Sequence, residues 1–288
     1  MEKDKMIGHI IEARVTDQND DLYFLQCEGT TFRLDKEEVE SELGNGSLIS
    51  GFAYENENHE MQITKKIPTS QIGRYAFGEV VSSRRDLGVF VDIGLPNKDV
   101  AVSLDELPEL TNLWPKKGDS LMIALRVDSK GRLWGSIASE EIFKGISGKA
   151  DDSMKNKNVE AVAYRLKMAG THVITPGFEL GFIHPSERDR EPRLGEHLNA
   201  RVIGIRPDGT LNLSLRRRAY EAISDDAQMI LAALQHSEGV LSYTDKSKPE
   251  DIKDYFGVSK GQFKRAVGHL MKAGLVKQSD GKMYLNEK

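Results

Sequence analysis

The sequence predicts a mainly β chain: three tandem, closed, five-stranded barrels of the OB type, followed by an α+β tail folded as a winged helix. Three observations lead there. A pattern of five short strands recurs three times at nearly constant spacing. Each repeat closes with a hairpin whose last strand ends in Ser or Thr. Helical periodicity becomes the organising pattern only in the tail, residues 222–288.

The hairpins set the repeat. Each is a turn glycine, an alternating apolar strand, a polar turn and a second short strand. They run from Gly46-Ser47-Leu48-Ile49 to Gln62-Ile63-Thr64, from Gly118-Asp119-Ser120-Leu121 to Trp134-Gly135-Ser136, and from Gly195-Glu196-His197-Leu198 to Asn212-Leu213-Ser214. The turns between them, Glu57-Asn58-His59, Asp128-Ser129-Lys130-Gly131 and Pro207-Asp208-Gly209, hold residues that accept left-handed or tightly bent backbone.

Three more strands precede each hairpin. The first unit (1–68) offers them at Gly8 to Ile11, Leu22 to Leu25 and Thr31 to Leu34. The second (71–140) offers Phe77 to Val81, Leu87 to Ile93 and Val100 to Ser103. The third (150–218) offers Val159 to Tyr164, Gly170 to Ile174 and Gly181 to Ser186. Five short strands with a longer connection after the third suit a small closed barrel. The polar stretch from Lys149 to Asn158 reads as a flexible linker between the second and third units.

The tail reads differently. Met229, Ile230, Ala233 and Leu234 recur at helical spacing from Asp225 to Ser237, and Pro249 opens a second helix ending near Phe256. Ser259 caps a third helix with Phe263, Ala266, Val267 and Leu270 on its apolar face, and two strands flank Asp280-Gly281. Three helices and a hairpin make a winged helix, with the third helix in the recognition position.

Gly88-Val89-Phe90-Val91, Ser103, Gly118-Asp119 and Ser136 resemble the ribosomal-protein-S1-type RNA-binding domain, and Gly181, His184 and Ser186 match its second motif. Leu87 and Ala101 stand where that pattern carries an aromatic and a histidine, and His172 replaces the third unit's Phe. The order of three such barrels and one winged helix is similar to the conserved virulence factor B (YitL-type) family of Gram-positive bacteria. The resemblance implies an RNA-binding regulator of gene expression, acting after transcription.

Charge and composition agree with that class. The chain of 288 residues carries 40 Lys+Arg against 45 Asp+Glu, yet residues 1–70 are strongly acidic while residues 148–223 are net basic, so a polyanion is repelled by the front and attracted further back. No apolar run approaches the ~18–20 residues of a membrane span, and the charged start, Met1-Glu2-Lys3-Asp4-Lys5, is unlike a secretory leader; a soluble cytoplasmic protein is expected. Cys27 is the single cysteine, and there is neither a P-loop nor a His-Glu-x-x-His pattern, so no catalytic, metal or cofactor site is expected.

Single-strand recognition needs flat rings for bases and cations for phosphates. Phe77 and Phe90 in the second unit, and His172 and His184 on adjacent strands of the third, are the candidate rings. Arg188, Arg190, Arg193, Arg201 and Arg216-Arg217-Arg218 are the candidate cations beside the third unit, and Lys260, Lys264 and Arg265 those of the recognition helix. The expected partner is single-stranded RNA, held on the third barrel and the winged helix. Two other readings stay open: a transcription regulator whose winged helix reads duplex DNA, and an adaptor that binds a protein through the acidic first barrel.

Overall fold

The computed structural model describes residues 5–216 and 225–286, and the chain forms two compact units that part between Leu215 and Arg216. The first unit holds three closed barrels. Strands β1 (Ile10–Gln18), β2 (Leu22–Cys27), β3 (Thr30–Asp35), β4 (Leu48–Glu55) and β5 (Met61–Thr64) close in the order β1-β2-β3-β5-β4. The same order recurs in β6 (Ala76–Arg84), β7 (Gly88–Asp92), β8 (Val100–Ser103), β9 (Ser120–Val127) and β10 (Leu133–Ile137). It recurs again in β11 (Asn158–Lys167), β12 (Gly170–Ile174), β13 (Leu180–Ile183), β14 (His197–Ile205) and β15 (Leu211–Ser214). Alternation builds each barrel: on β7 the side chains of Val89 and Val91 are buried while Phe90 between them faces out. Gly88, at φ +138°, is required by close packing, since a Cβ there would lie 1.9 Å from the Val102 carbonyl oxygen.

Shared cores make the barrels one unit. Ile7, Phe52 and Tyr54 of the first barrel and Leu194 of the third join the core of the second, built from Val80, Val89, Val91, Val100 and Val102. A helix not foreseen from sequence, α1 (Glu140–Ile146), inserts Phe143 between the second and third barrels, where it stacks on Tyr164 at 3.9 Å beside Met122 and Ile174. Seven residues, of which only Phe143 is fully buried, are too short a window for helical periodicity to announce a helix.

The stretch expected to be a flexible linker is ordered. Backbone N–H groups of Gly148, Ala150 and Asn156 donate to Phe178, Gly209 and Val202 carbonyls of the third barrel, and Asp151 caps a short turn at Asp152–Met154. The polar side chains of this stretch stay exposed, and it is the backbone that ties it to the third barrel.

The second unit comprises α2 (Asp225–His236), β16 (Val240–Leu241), α3 (Pro249–Phe256), α4 (Lys260–Lys272), β17 (Val276–Ser279) and β18 (Lys282–Leu285), its sheet ordered β16-β18-β17. This is a winged helix. Ser259 and Gln262 form a reciprocal capping box that starts α4. The helix then buries Phe263, Ala266, Val267 and Leu270 against Ile230, Leu234, Ile252 and Phe256.

Candidate nucleic-acid interface

Residues directly opposite on neighbouring strands point to one face of the sheet. Following such pairs around each barrel therefore traces an outer row with one residue per strand. In the third barrel the row is Arg165, His172, Phe182, Asn212 and Gly204. In the second it is Ser82, Phe90, Ala101, Trp134 and Arg126. In the first it is Asp17, Phe24, Arg33, Gln62 and Tyr54. Each row crosses the β2–β3 face of its barrel, the face that OB folds use for oligonucleotides.

The third row is an aromatic platform edged by cations. His172 meets the Phe182 ring edge-to-face at 5.4 Å, and Tyr164 lies 6.1 Å from His172 on the other side. The guanidinium of Arg206 sits 4.8 Å from the Phe182 ring centre and donates to Asn212 at 3.0 Å. Gly170 makes room for this arrangement, since a Cβ there would meet the Phe182 ring at 2.6 Å. Burial, reinforced by the charge of Lys167, lowers the pKa of His172, so the imidazole is a neutral ring at physiological pH.

The expected pairing of His172 with His184 is replaced by His172 with Phe182. Strand β13 ends at Ile183, and His184 instead caps the short turn after it, its Nδ1 accepting from the Ser186 backbone N–H at 3.2 Å and meeting Ser186 Oγ at 2.7 Å. Phe182 was legible: with Ile183 facing inward, alternation turns Phe182 outward next to His172.

The expected free cations of the connection are engaged internally. Arg188 has a side chain only 8% exposed, donates to Thr171 Oγ1 and pairs with Glu191 at 3.3 Å. Arg190 is bound to the Glu196 carboxylate. Arg193 reaches across to the second barrel, where its Nε and Nη2 donate to the two oxygens of Asp119 at 3.0 and 2.9 Å. A longer connection in a small barrel is tied down by such pairs, and sequence alone gives no sign of which carboxylate each cation will meet.

Arg201 lies half-buried on β14, opposite Asn158 and Ser214 and so about two residues, or ~7 Å, along the barrel from the Asn212 position. Arg216 is exposed, and Arg217 and Arg218 lie outside the described residues. In the second barrel Phe90 is in the outer row and Phe77 is not. Phe77 pairs with Met122, five residues before Ser82 on β6, roughly 17 Å along the strand. There it lines an apolar groove with Tyr75, Ile146 and Phe178. The second row contains two residues not anticipated as contacts, Trp134 and Arg126, the guanidinium lying 5.6 Å from the ring centre.

The first row is partly covered by the second barrel. Tyr54 is fully buried and its hydroxyl donates to Asn97 at 2.8 Å, while Asn97 donates to Gln62 at 2.8 Å. Burial raises the Tyr54 phenol pKa and lowers that of Lys98, whose ammonium donates to the Glu55 carbonyl. Arg33 is paired with Glu60 at 2.6 Å.

On the winged helix, Lys264 and Arg265 are exposed on α4 with His269 and Lys272, and Lys260 is half-buried in its first turn. Among the described residues no three His, Cys, Asp or Glu side chains are grouped to hold a metal ion, and no helix is long and apolar enough to cross a membrane.

Comparison with known proteins decides the family. The models described as CvfB first S1-like domain, virulence regulatory factor CvfB second domain and CvfB-like winged helix domain match residues 75–136, 143–217 and 228–285, and an S1 domain model matches 7–66. Conserved virulence factor B of Staphylococcus epidermidis is 38% identical over 100% of this chain and 97% of its own length. The chain belongs to the conserved virulence factor B family. YitL of Bacillus subtilis is 39% identical over 96% of this chain and 93% of its own length. A crystal structure from Streptococcus pneumoniae, described as a multidomain protein with nucleic acid binding domains, is 48% identical and covers 98% of this chain and 99% of its own, with a TM-score of 0.73. The chain therefore carries the S1-like barrels and winged helix of a virulence regulatory family, and in its second and third barrels the outer rows bring aromatic and cationic side chains together.

Proposed function

We propose that the chain binds single-stranded RNA on the outer row of its third barrel, with α4 of the winged helix as a second contact, and regulates gene expression after transcription without catalysing a reaction. The observation that carries this is the His172–Phe182 platform with Arg206 beside it. It offers neutral ring faces to bases and a cation to phosphate, the combination that single-strand binders use. The family's regulatory description and the description of the pneumococcal relative as holding nucleic acid binding domains support the reading. Of the sequence candidates, Phe90 in the outer row of the second barrel and His172, Arg201, Lys264 and Arg265 keep a contact role in this reading, and Phe182 and Arg206 join them.

A second reading rests on α4, whose exposed Lys264, Arg265 and Lys272 suit phosphates flanking a major groove. It makes the protein a duplex-DNA regulator with the barrels as protein-contact modules, the acidic first barrel among them. His172→Ala with Phe182→Ala separates the two. Loss of single-stranded RNA binding with duplex binding intact supports the first reading; RNA affinity equal to wild type overturns it.

A further inference from the structure

Within the winged helix, the two helices on either side of Gly257 carry opposite charge. α4 holds Lys260, Lys264, Arg265 and Lys272 and no carboxylate, whereas α3 holds Glu250, Asp251 and Asp254 against one cation, Lys253. Ile252 and Phe256 seat α3 in the core, so Asp251, Asp254 and Tyr255, spaced i, i+3 and i+4, share its exposed side. With Ser242, Tyr243 and Ser247 of the preceding segment they line an open hollow of about 500 Å³.

The rings of this hollow are fixed and its carboxylates are free. Tyr243 packs on Tyr255 with ring centres 4.8 Å apart, and both meet Phe256 edge-on, at 5.3 and 4.7 Å. A turn holds Tyr243 in place: the Thr244 backbone N–H donates to Ser247 Oγ at 2.9 Å, and the Ser247 backbone N–H donates to the Thr244 carbonyl at 3.1 Å. Tyr255 nevertheless keeps half its surface exposed. Among the described residues neither Asp251 nor Asp254 has an ion-pair or hydrogen-bond partner.

Helix electrostatics accounts for only one of these two carboxylates. Asp251 stands in the first turn of α3, where the positive end of the helix dipole favours it. Asp254 stands in the last turn, at the negative end, and lies three and four residues from Asp251 and Glu250, so each of these neighbours repels it. A residue placed against local stability marks a functional position, and here the charge that would relieve it is a cation from outside. An apolar occupant would leave carboxylates desolvated and unpaired, and a polyanion is repelled. A guanidinium fits best: its plane lies flat on the Tyr255 ring while its fork of donors reaches a carboxylate. The hollow is open, so a lone small cation gains few contacts there, and the chain that carries the guanidinium supplies the rest.

We propose that Tyr243, Asp251, Asp254 and Tyr255 form a docking site for an arginine side chain in a basic segment of a partner protein. The site is independent of the RNA reading: it gives the winged helix a protein-facing side on α3, whichever nucleic acid α4 meets.

The test uses the full chain, isotope-labelled for amide-resolved NMR, and a short blocked peptide alternating glycine and arginine, with lysine and citrulline versions as controls. Citrulline keeps the planar shape of arginine and removes its charge. The arginine peptide should shift the amides of Tyr243, Asp254 and Tyr255 saturably, the lysine peptide should bind at least about fivefold more weakly, and the citrulline peptide should have no effect. Asp251→Asn with Asp254→Asn, and separately Tyr255→Leu, should each weaken the arginine peptide about fivefold or more at the remaining amides. All three positions are exposed, and the amides of Phe263 and Leu270 in the domain core report whether the variants stay folded. No shift at these amides, equal shifts with citrulline, shifts confined to the acidic residues 1–70, or folded variants that bind like wild type would each overturn the site. A lysine peptide that binds as tightly would overturn the choice of arginine.

Discussion

Arg193 distinguishes a structural cation from a nucleic-acid contact. Its guanidinium, 20% exposed, is bidentate on Asp119, 7% exposed, across the seam between the second and third barrels, and lies 3.5 Å from Glu196. Arg193→Ala leaves Asp119 buried with one remaining donor, the Lys116 backbone N–H at 2.7 Å. Breaking a buried pair by removing one partner costs about 3–5 kcal/mol, and the partial exposure of Arg193 places this case near ~3 kcal/mol. For a unit of this size each kcal/mol moves the midpoint by about 2–4 °C, so the barrel unit should melt roughly 6–12 °C lower. Calorimetry or urea unfolding of Arg193→Ala, Asp119→Leu and the double variant measures it. The double variant should be more stable than Arg193→Ala alone, because no buried charge is left unpaired. Below the lowered midpoint, Arg193→Ala should bind RNA with wild-type affinity and salt slope. Wild-type stability together with weakened, less salt-dependent RNA binding would refute the structural role and restore Arg193 as a phosphate contact.

Other outcomes follow from the same geometry. Phe182→Ala should weaken single-stranded RNA binding by about 1–3 kcal/mol, or roughly 5- to 150-fold, with Arg206→Ala costing less; anisotropy titrations check both. Lys264→Glu with Arg265→Glu should reduce the slope of log affinity on log salt by about 0.7 for each single-strand phosphate no longer neutralised, measured over a salt series. Burial opposes ionisation of Glu196, but hydrogen bonds from Arg190 and Arg193 more than offset it, so its carboxyl pKa lies below the ordinary range in the folded chain. The carboxylate therefore stabilises the fold above the ordinary Glu pKa, and that contribution is lost as pH falls through the lowered value. Acid titration of urea stability should show a smaller contribution from this group in Arg190→Ala, the remainder coming from Arg193.

The architecture was readable in the sequence because each level of pattern agreed. Turn glycines, alternation and spacing repeated three times, and Ser259 as an N-cap before an apolar helical stripe announced α4. What escaped were features set by partners distant in the chain. Asn97 covering Tyr54 and Gln62, and Asp119 holding Arg193, are contacts between barrels that no local pattern encodes. The outer rows fall between these cases. Register decides which ring neighbours which: a motif points to His172 and His184, whereas the β12–β13 pairing sets Phe182 beside His172. In the second barrel the β8–β10 pairing, which no local pattern gives, sets Trp134 in the row with Phe90. A motif marks single positions, whereas a platform is a property of several strands at once.

The decisive experiment is fluorescence anisotropy of a labelled single-stranded RNA against a matched DNA duplex, each over a salt series, with wild type and the His172→Ala, Phe182→Ala double variant. Binding on the third barrel predicts micromolar or tighter RNA affinity with a slope of several phosphate contacts, weaker duplex binding, and loss of RNA binding in the double variant. Preference for the duplex, unaffected by the double variant, would contradict it.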